Sequence, residues 1–218
     1  MAIIKSNPKK TYNWEVWPQA YFDLAIVGCD WLLDELLNKE YLRSKNSKTH
    51  KPIQPVSCVI LPIIYNFKHG IELYLKALGI LIGGEYDNKN HDLINLLNFL
   101  ITKIRERSQT SKKDKVLKIL DEDARLIIEK YYFGTYLFNN QCKNRSDVSN
   151  QAERYPETNA YKIPDTPSCW RAMSLSENKP VNKINVEQIK DDIIKFYGTD
   201  KRYGILRQIG ADISFNRI

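Results

Sequence analysis

The 218-residue chain carries 33 Lys and Arg against 26 Asp and Glu, for a net charge of +7, with 43% apolar and 11% aromatic residues. That composition excludes a wholly disordered chain and supplies enough apolar side chains for the core of one domain with extensions. Charges interrupt every long apolar run, so no membrane-spanning segment is expected, and the basic excess attracts polyanions such as RNA without specifying a sequence.

Residues 1–13 read as a polar arm. A first helix is predicted over 18–42, opened by Pro18, with Phe22, Ile26, Cys29, Leu33, Leu36 and Leu37 as its apolar face. A basic loop follows, with a net charge of +4 over 39–51. The second helix is predicted over 56–82, with Pro62 either kinking it or marking its start, and Gly83-Gly84 as its C-terminal stop. The third covers 92–107, where Leu93, Leu96, Leu97, Leu100 and Ile104 recur with helical period. The fourth covers 114–138 with Val116, Leu120, Ile127, Ile128, Tyr131 and Leu137. Residues 103–118 carry a net charge of +5. Periodicity is lost over 139–183, which reads as a long irregular segment. A last helix is expected after Asn185 as N-cap, and 201–218 adds a short helix or strand. The expected fold is therefore all-α, an antiparallel bundle of four long helices with core 18–138, an irregular segment and a C-terminal helical region from 184.

The second helix is the most informative stretch. At about 100° per residue, Ile60, Ile64, Phe67, Ile71, Leu75, Leu78 and Ile82 form one narrow stripe, while Asn66, His69, Glu72 and Lys76 share another side. His69 to Glu72 is a spacing of three and Glu72 to Lys76 of four, so all three can interact. A base and a cation beside a phosphodiester would use such a face, and so would an ordinary surface ion pair or a buried polar seam. His91-Asp92 opens the next helix, where Asp92 suits amide capping and His91 a ligand or acid–base role. His69 and His91 are the candidate catalytic residues. Asp121-Glu122-Asp123 reads as a solvated face, because consecutive helical residues point apart. Cys29, Cys58, Cys142 and Cys169 lack metal-ligand spacing, and Cys29 and Cys58 suit the core as reduced thiols. No nucleotide-binding or hydrolase motif occurs, so neither metal nor cofactor is expected. With a polar start and no export signal, the expected compartment is the cytoplasm.

Glu72-Leu73-Tyr74-Leu75-Lys76-Ala77-Leu78, the glycines after it, and His91-Asp92-Leu93 resemble the HEPN-type proteins, small helical bundles with this order of elements. Glu153-Arg154-Tyr155-Pro156 is similar to an Arg-Tyr-Pro motif of one bacterial branch, with Glu where that branch has Phe. The resemblance covers roughly 56–197 and implies a single domain over 1–218. It further implies a homodimer or a complex with a partner protein, in a bacterial defence or toxin–antitoxin setting, acting by binding RNA or protein. Metal-independent endoribonucleases of the family use an Arg-x4–6-His motif late in the bundle; here the match is Arg43-x6-His50, in the basic loop. That departure leaves three alternatives: a binding module, an atypical endoribonuclease using His69 or His91, and a structural subunit. The expected pocket gathers Asn66, Glu72, Lys76, His91, Asp92, Arg154 and Tyr155.

Overall fold

The computed structural model describes residues 8–44, 56–83, 90–107, 111–132, 183–199 and 202–216. The fold is all-α. Among the described residues the helices are α1 Pro8–Ser44, α2 Val56–Leu81, α3 Leu93–Arg107, α4 Ser111–Lys118, α5 Arg125–Tyr132, α6 Lys183–Tyr197 and α7 Ile205–Asn216. A π-helical stretch, Ile119–Ala124, joins α4 to α5. Between α6 and α7, Gly198–Thr199 pairs antiparallel with Arg202–Tyr203 in a two-residue ladder.

α2 is the central element and packs against α1, α3, α5 and α7. All seven residues of its expected apolar stripe, Ile60 through Ile82, are buried. Its other side is covered too: Glu72 and Lys76 are 3% and 5% exposed, so they do not form a surface pair. Gly28 of α1 lets that helix approach α2 closely, since a Cβ there would lie 2.7 Å from Ile63 Cγ1. Gly83 ends α2 with φ 71°, and its amide donates to the Ile80 carbonyl.

Three boundaries differ from the sequence reading. α1 begins at Pro8, so residues 8–13 are helical and Pro18 is interior. A first-position proline at Pro8 is compatible with this start, and burial of the Pro18 ring offsets part of the missing hydrogen bond at that point. α4 starts at Ser111, three residues before the expected 114, whereas α2 starts at Val56 as expected and runs through Pro62. α6 starts at Lys183, which places Asn185 inside the helix. Leu37 is 44% exposed, whereas Ala25 and Leu32 are buried. Leu37 lies about 80° around the helix from Cys29, at the edge of the core stripe.

The π-helical stretch follows from how its buried side chains are spaced. Val116, Leu120, Ala124 and Ile128 are all buried at spacings of four. In a regular helix that spacing drifts by about 120° over twelve residues. One π-bulge inserts an extra residue, about 100°, and returns the four side chains to one face. Asp121 is a clamp here: it accepts from Arg105 of α3 at 2.9 Å and from Arg125 Nη2 at 2.8 Å, and Arg125 also donates to Asn98. Glu122 and Asp123 are exposed, as expected of a solvated face.

The C-terminal helices close the core. Asp192 of α6 accepts from the Tyr131 hydroxyl at 2.8 Å and pairs with Lys130. Burial first, then the Asp192 charge and hydrogen bond, hold the Tyr131 phenol well above its usual pKa. Lys190 pairs with Asp30, tying α6 to α1. Tyr197 stacks on Phe22 at 4.4 Å and carries the Arg207 guanidinium 4.3 Å over its ring. The Tyr74 hydroxyl of α2 donates to the Leu206 carbonyl of α7 at 3.1 Å. Cys29 is a free thiol in this core, its pKa pushed up to about 12 by burial first and then by Asp30. Among the described residues, no helix is long and apolar enough to cross a membrane.

Candidate functional site

The site forms where the middle of α2 meets the start of α3. Asp92 fixes that start. Its Oδ1 accepts from the amides of Ile94 and Asn95, both at 2.9 Å, which satisfies two of the orphan donors of the first turn. Its Oδ2 accepts from the buried Tyr132 hydroxyl at 3.0 Å, so the cap is also pinned to the end of α5. Asn90 Oδ1 accepts from the Asp92 amide at 3.1 Å and holds the preceding turn. His91 is thereby set on a braced corner facing α2.

Glu72 is the hub. Its Oε1 accepts from Lys76 Nζ at 2.8 Å and lies 2.9 Å from His91 Nδ1. An ammonium has only donors, so Oε1 is an acceptor, and the Nδ1 beside it carries the proton. That assigns the His91 tautomer and leaves Nε2 outside the contact with Glu72. The His91 side chain is 38% exposed, against 3% for Glu72. A buried carboxylate that orients a partly exposed imidazole is the arrangement by which a histidine is held ready to take a proton or to meet an anion.

His69 approaches the other oxygen. Its Nδ1 is 3.6 Å from Glu72 Oε2, an ion-pair distance longer than a hydrogen bond. Its ring stacks on Tyr65 at 5.5 Å and meets Tyr21 edge-on at 4.5 Å. The two imidazoles thus flank one carboxylate. Asn66 is half-buried on α2, with no hydrogen bond to this cluster among the described residues. Arg154, Tyr155 and His50 lie outside the described residues, as does the whole 139–182 stretch.

The structure therefore brings together Glu72, Lys76, His69, His91 and Asp92. Sequence reasoning missed Tyr132, Tyr21 and Tyr65. Tyr65 is four residues before His69 and could have been read from helical spacing. Tyr132 and Tyr21 reach the site only through the tertiary fold, and no local pattern announces them. No group of three or more His, Cys, Asp or Glu suited to a metal occurs among the described residues. Comparison of the chain with protein-family models, curated proteins and solved structures gives no match.

Proposed function

We propose that this chain is a HEPN-like RNA-binding protein, built as an antiparallel helical bundle, in which His91 contacts an RNA phosphate. The observation that carries this reading is the His91–Glu72–Lys76 arrangement: a buried acceptor fixes one imidazole nitrogen of a side chain that is itself 38% exposed. An imidazolium held there donates Nε2–H to a phosphate oxygen as a charge-assisted hydrogen bond. The basic stretch 103–118 adds the diffuse attraction that single-stranded RNA binding draws on. The HEPN resemblance supplies the setting, bacterial defence or a toxin–antitoxin pair, and a homodimer or partner-bound state in the cytoplasm.

A fluorescein-labelled single-stranded RNA, titrated with the protein at several salt concentrations in EDTA, tests this reading by anisotropy. The expected result is binding that weakens linearly on a log–log salt scale, with the RNA left intact. Absence of binding at low salt would overturn it.

A second reading, an atypical metal-independent endoribonuclease, rests on one observation: His69 and His91 flank the same carboxylate. Two imidazoles could then act as base and acid on a 2′-hydroxyl and a leaving 5′-oxygen. Cleavage in EDTA that is lost on substituting either histidine would select it over simple binding.

A further inference from the structure

α1 has two apolar faces. Phe22, Ala25, Cys29 and Leu32 point into the core and are at most 1% exposed. On the opposite side of the helix, Leu24, Val27 and Trp31 are 56%, 63% and 50% exposed. At 100° per residue these three fall within about 60° of one another, with exposed Ala20 in the same stripe. Single exposed apolar residues are common, but a stripe over two turns that ends in a half-exposed Trp has the composition of an interface.

The edges of the stripe say what fits it. One edge turns toward α2, where Gly28 meets Ile63 and Tyr21 meets His69. The other edge is acidic: Asp23 and Asp34 are exposed there, and Asp30 beside them pairs with Lys190 of α6. A second copy of this chain fits poorly. Two-fold antiparallel pairing of the stripe would set this acidic flank against itself, and parallel pairing would set it against the side carrying Glu35, so both arrangements juxtapose like charges. A partner helix that is apolar along one stripe and basic along its flank would match both features.

We propose that the outer face of α1 docks an amphipathic helix of another protein, whose apolar stripe covers Leu24, Val27 and Trp31 and whose Lys or Arg residues meet Asp23 and Asp34. The chain as a whole carries +7, so a basic helix gains nothing from overall charge, and only the local acidic flank favours it. The proposal does not depend on the RNA reading, which rests on a different pair of helices.

The test uses the full chain and two labelled synthetic peptides of about six helical turns. One has a Leu stripe flanked by Lys, and the other is the same peptide with Glu in place of Lys. The Lys peptide is expected to bind the wild-type protein and the Glu peptide to fail. Trp31→Ala, at a half-exposed position, should weaken the Lys peptide at least tenfold with an unchanged unfolding midpoint. Asp23→Lys with Asp34→Lys should reverse the preference toward the Glu peptide, a readout that a merely damaged protein cannot give. Equal binding of both peptides to wild type, Lys-peptide binding unaffected by Trp31→Ala, or no binding of either would each overturn the proposal. Self-association abolished by Trp31→Ala would assign the face to a second copy and overturn it as well.

Discussion

Glu72 and Lys76 lie 2.8 Å apart, one turn from each other on α2, and both are buried. A buried ion pair of this kind is costly to form and costly to break singly. Lys76→Met removes the ammonium that neutralises the buried Glu72 carboxylate and should cost about 3–5 kcal/mol. Replacing both residues together, Glu72→Leu with Lys76→Met, should recover most of that loss, because no uncompensated charge remains. Urea unfolding of the two single variants and the double variant measures this coupling.

The Asp92 cap joins two otherwise separate events, the first turn of α3 and the docking of α5. Asp92→Ala removes the acceptor of two first-turn amides and of the buried Tyr132 hydroxyl, so a loss of about 2–4 kcal/mol is expected. Tyr132→Phe removes only the last of these interactions and should cost about 1 kcal/mol. If the two variants unfold at the same denaturant midpoint, the cap contributes nothing beyond the tyrosine bond.

How much of this was readable in advance follows the range of the interactions. The pairing of Glu72 with Lys76 is a helical spacing of four, and Asp92 precedes a strongly periodic run, so both are legible locally. The approach of His91 to Glu72 is expected of two successive helices separated by only a short stretch of sequence. The burial of Glu72 and Lys76 was one of three open alternatives, because a polar stripe looks the same in sequence whether it faces water or another helix. The interior position of Pro18 and the π-helical stretch were not legible, since both break a local rule that tertiary packing then overrides. Tyr21 and Tyr132 come from distant segments and have no local signature.

Gly28 marks the closest approach of α1 to α2, with an added Cβ 2.7 Å from a core atom of Ile63. Gly28→Ala must push the helices apart or force Ile63 off its rotamer, at about 1–3 kcal/mol. Ile63→Ala alone leaves a cavity. Combined with Gly28→Ala it should cost less than the sum of the two, and thermal unfolding of the three variants checks that non-additivity.

The Cys29 thiol, its pKa pushed up to about 12, adds a pH dependence at the alkaline end. The folded protein holds the thiol proton more tightly than the unfolded chain, whose thiol ionises near 9.0. Between those values the unfolded state binds fewer protons, so stability falls as pH rises, by roughly 1 kcal/mol per pH unit. Below pH 9 the contribution is complete. Cys29→Ala should flatten this part of the stability curve relative to wild type between those pH values.

The exposed Lys115 and Lys118 in the last turn of α4 carry part of the charge of the 103–118 stretch. Replacing both with Ala should lower the salt dependence of RNA binding by about 0.7 in log–log slope for each phosphate that is no longer neutralised, with stability almost unchanged. An unchanged slope would place the RNA elsewhere on the molecule.

The most direct test of the account is the affinity of single-stranded RNA for His91→Ala beside its urea midpoint. His91 is partly exposed and lies outside the buried pair, so the substitution leaves Glu72 and Lys76 joined. The account predicts RNA binding weakened roughly tenfold, the loss of one charge-assisted hydrogen bond, with an unfolding midpoint close to that of wild type. An unchanged affinity, or a loss of affinity matched by a loss of folding, would contradict it.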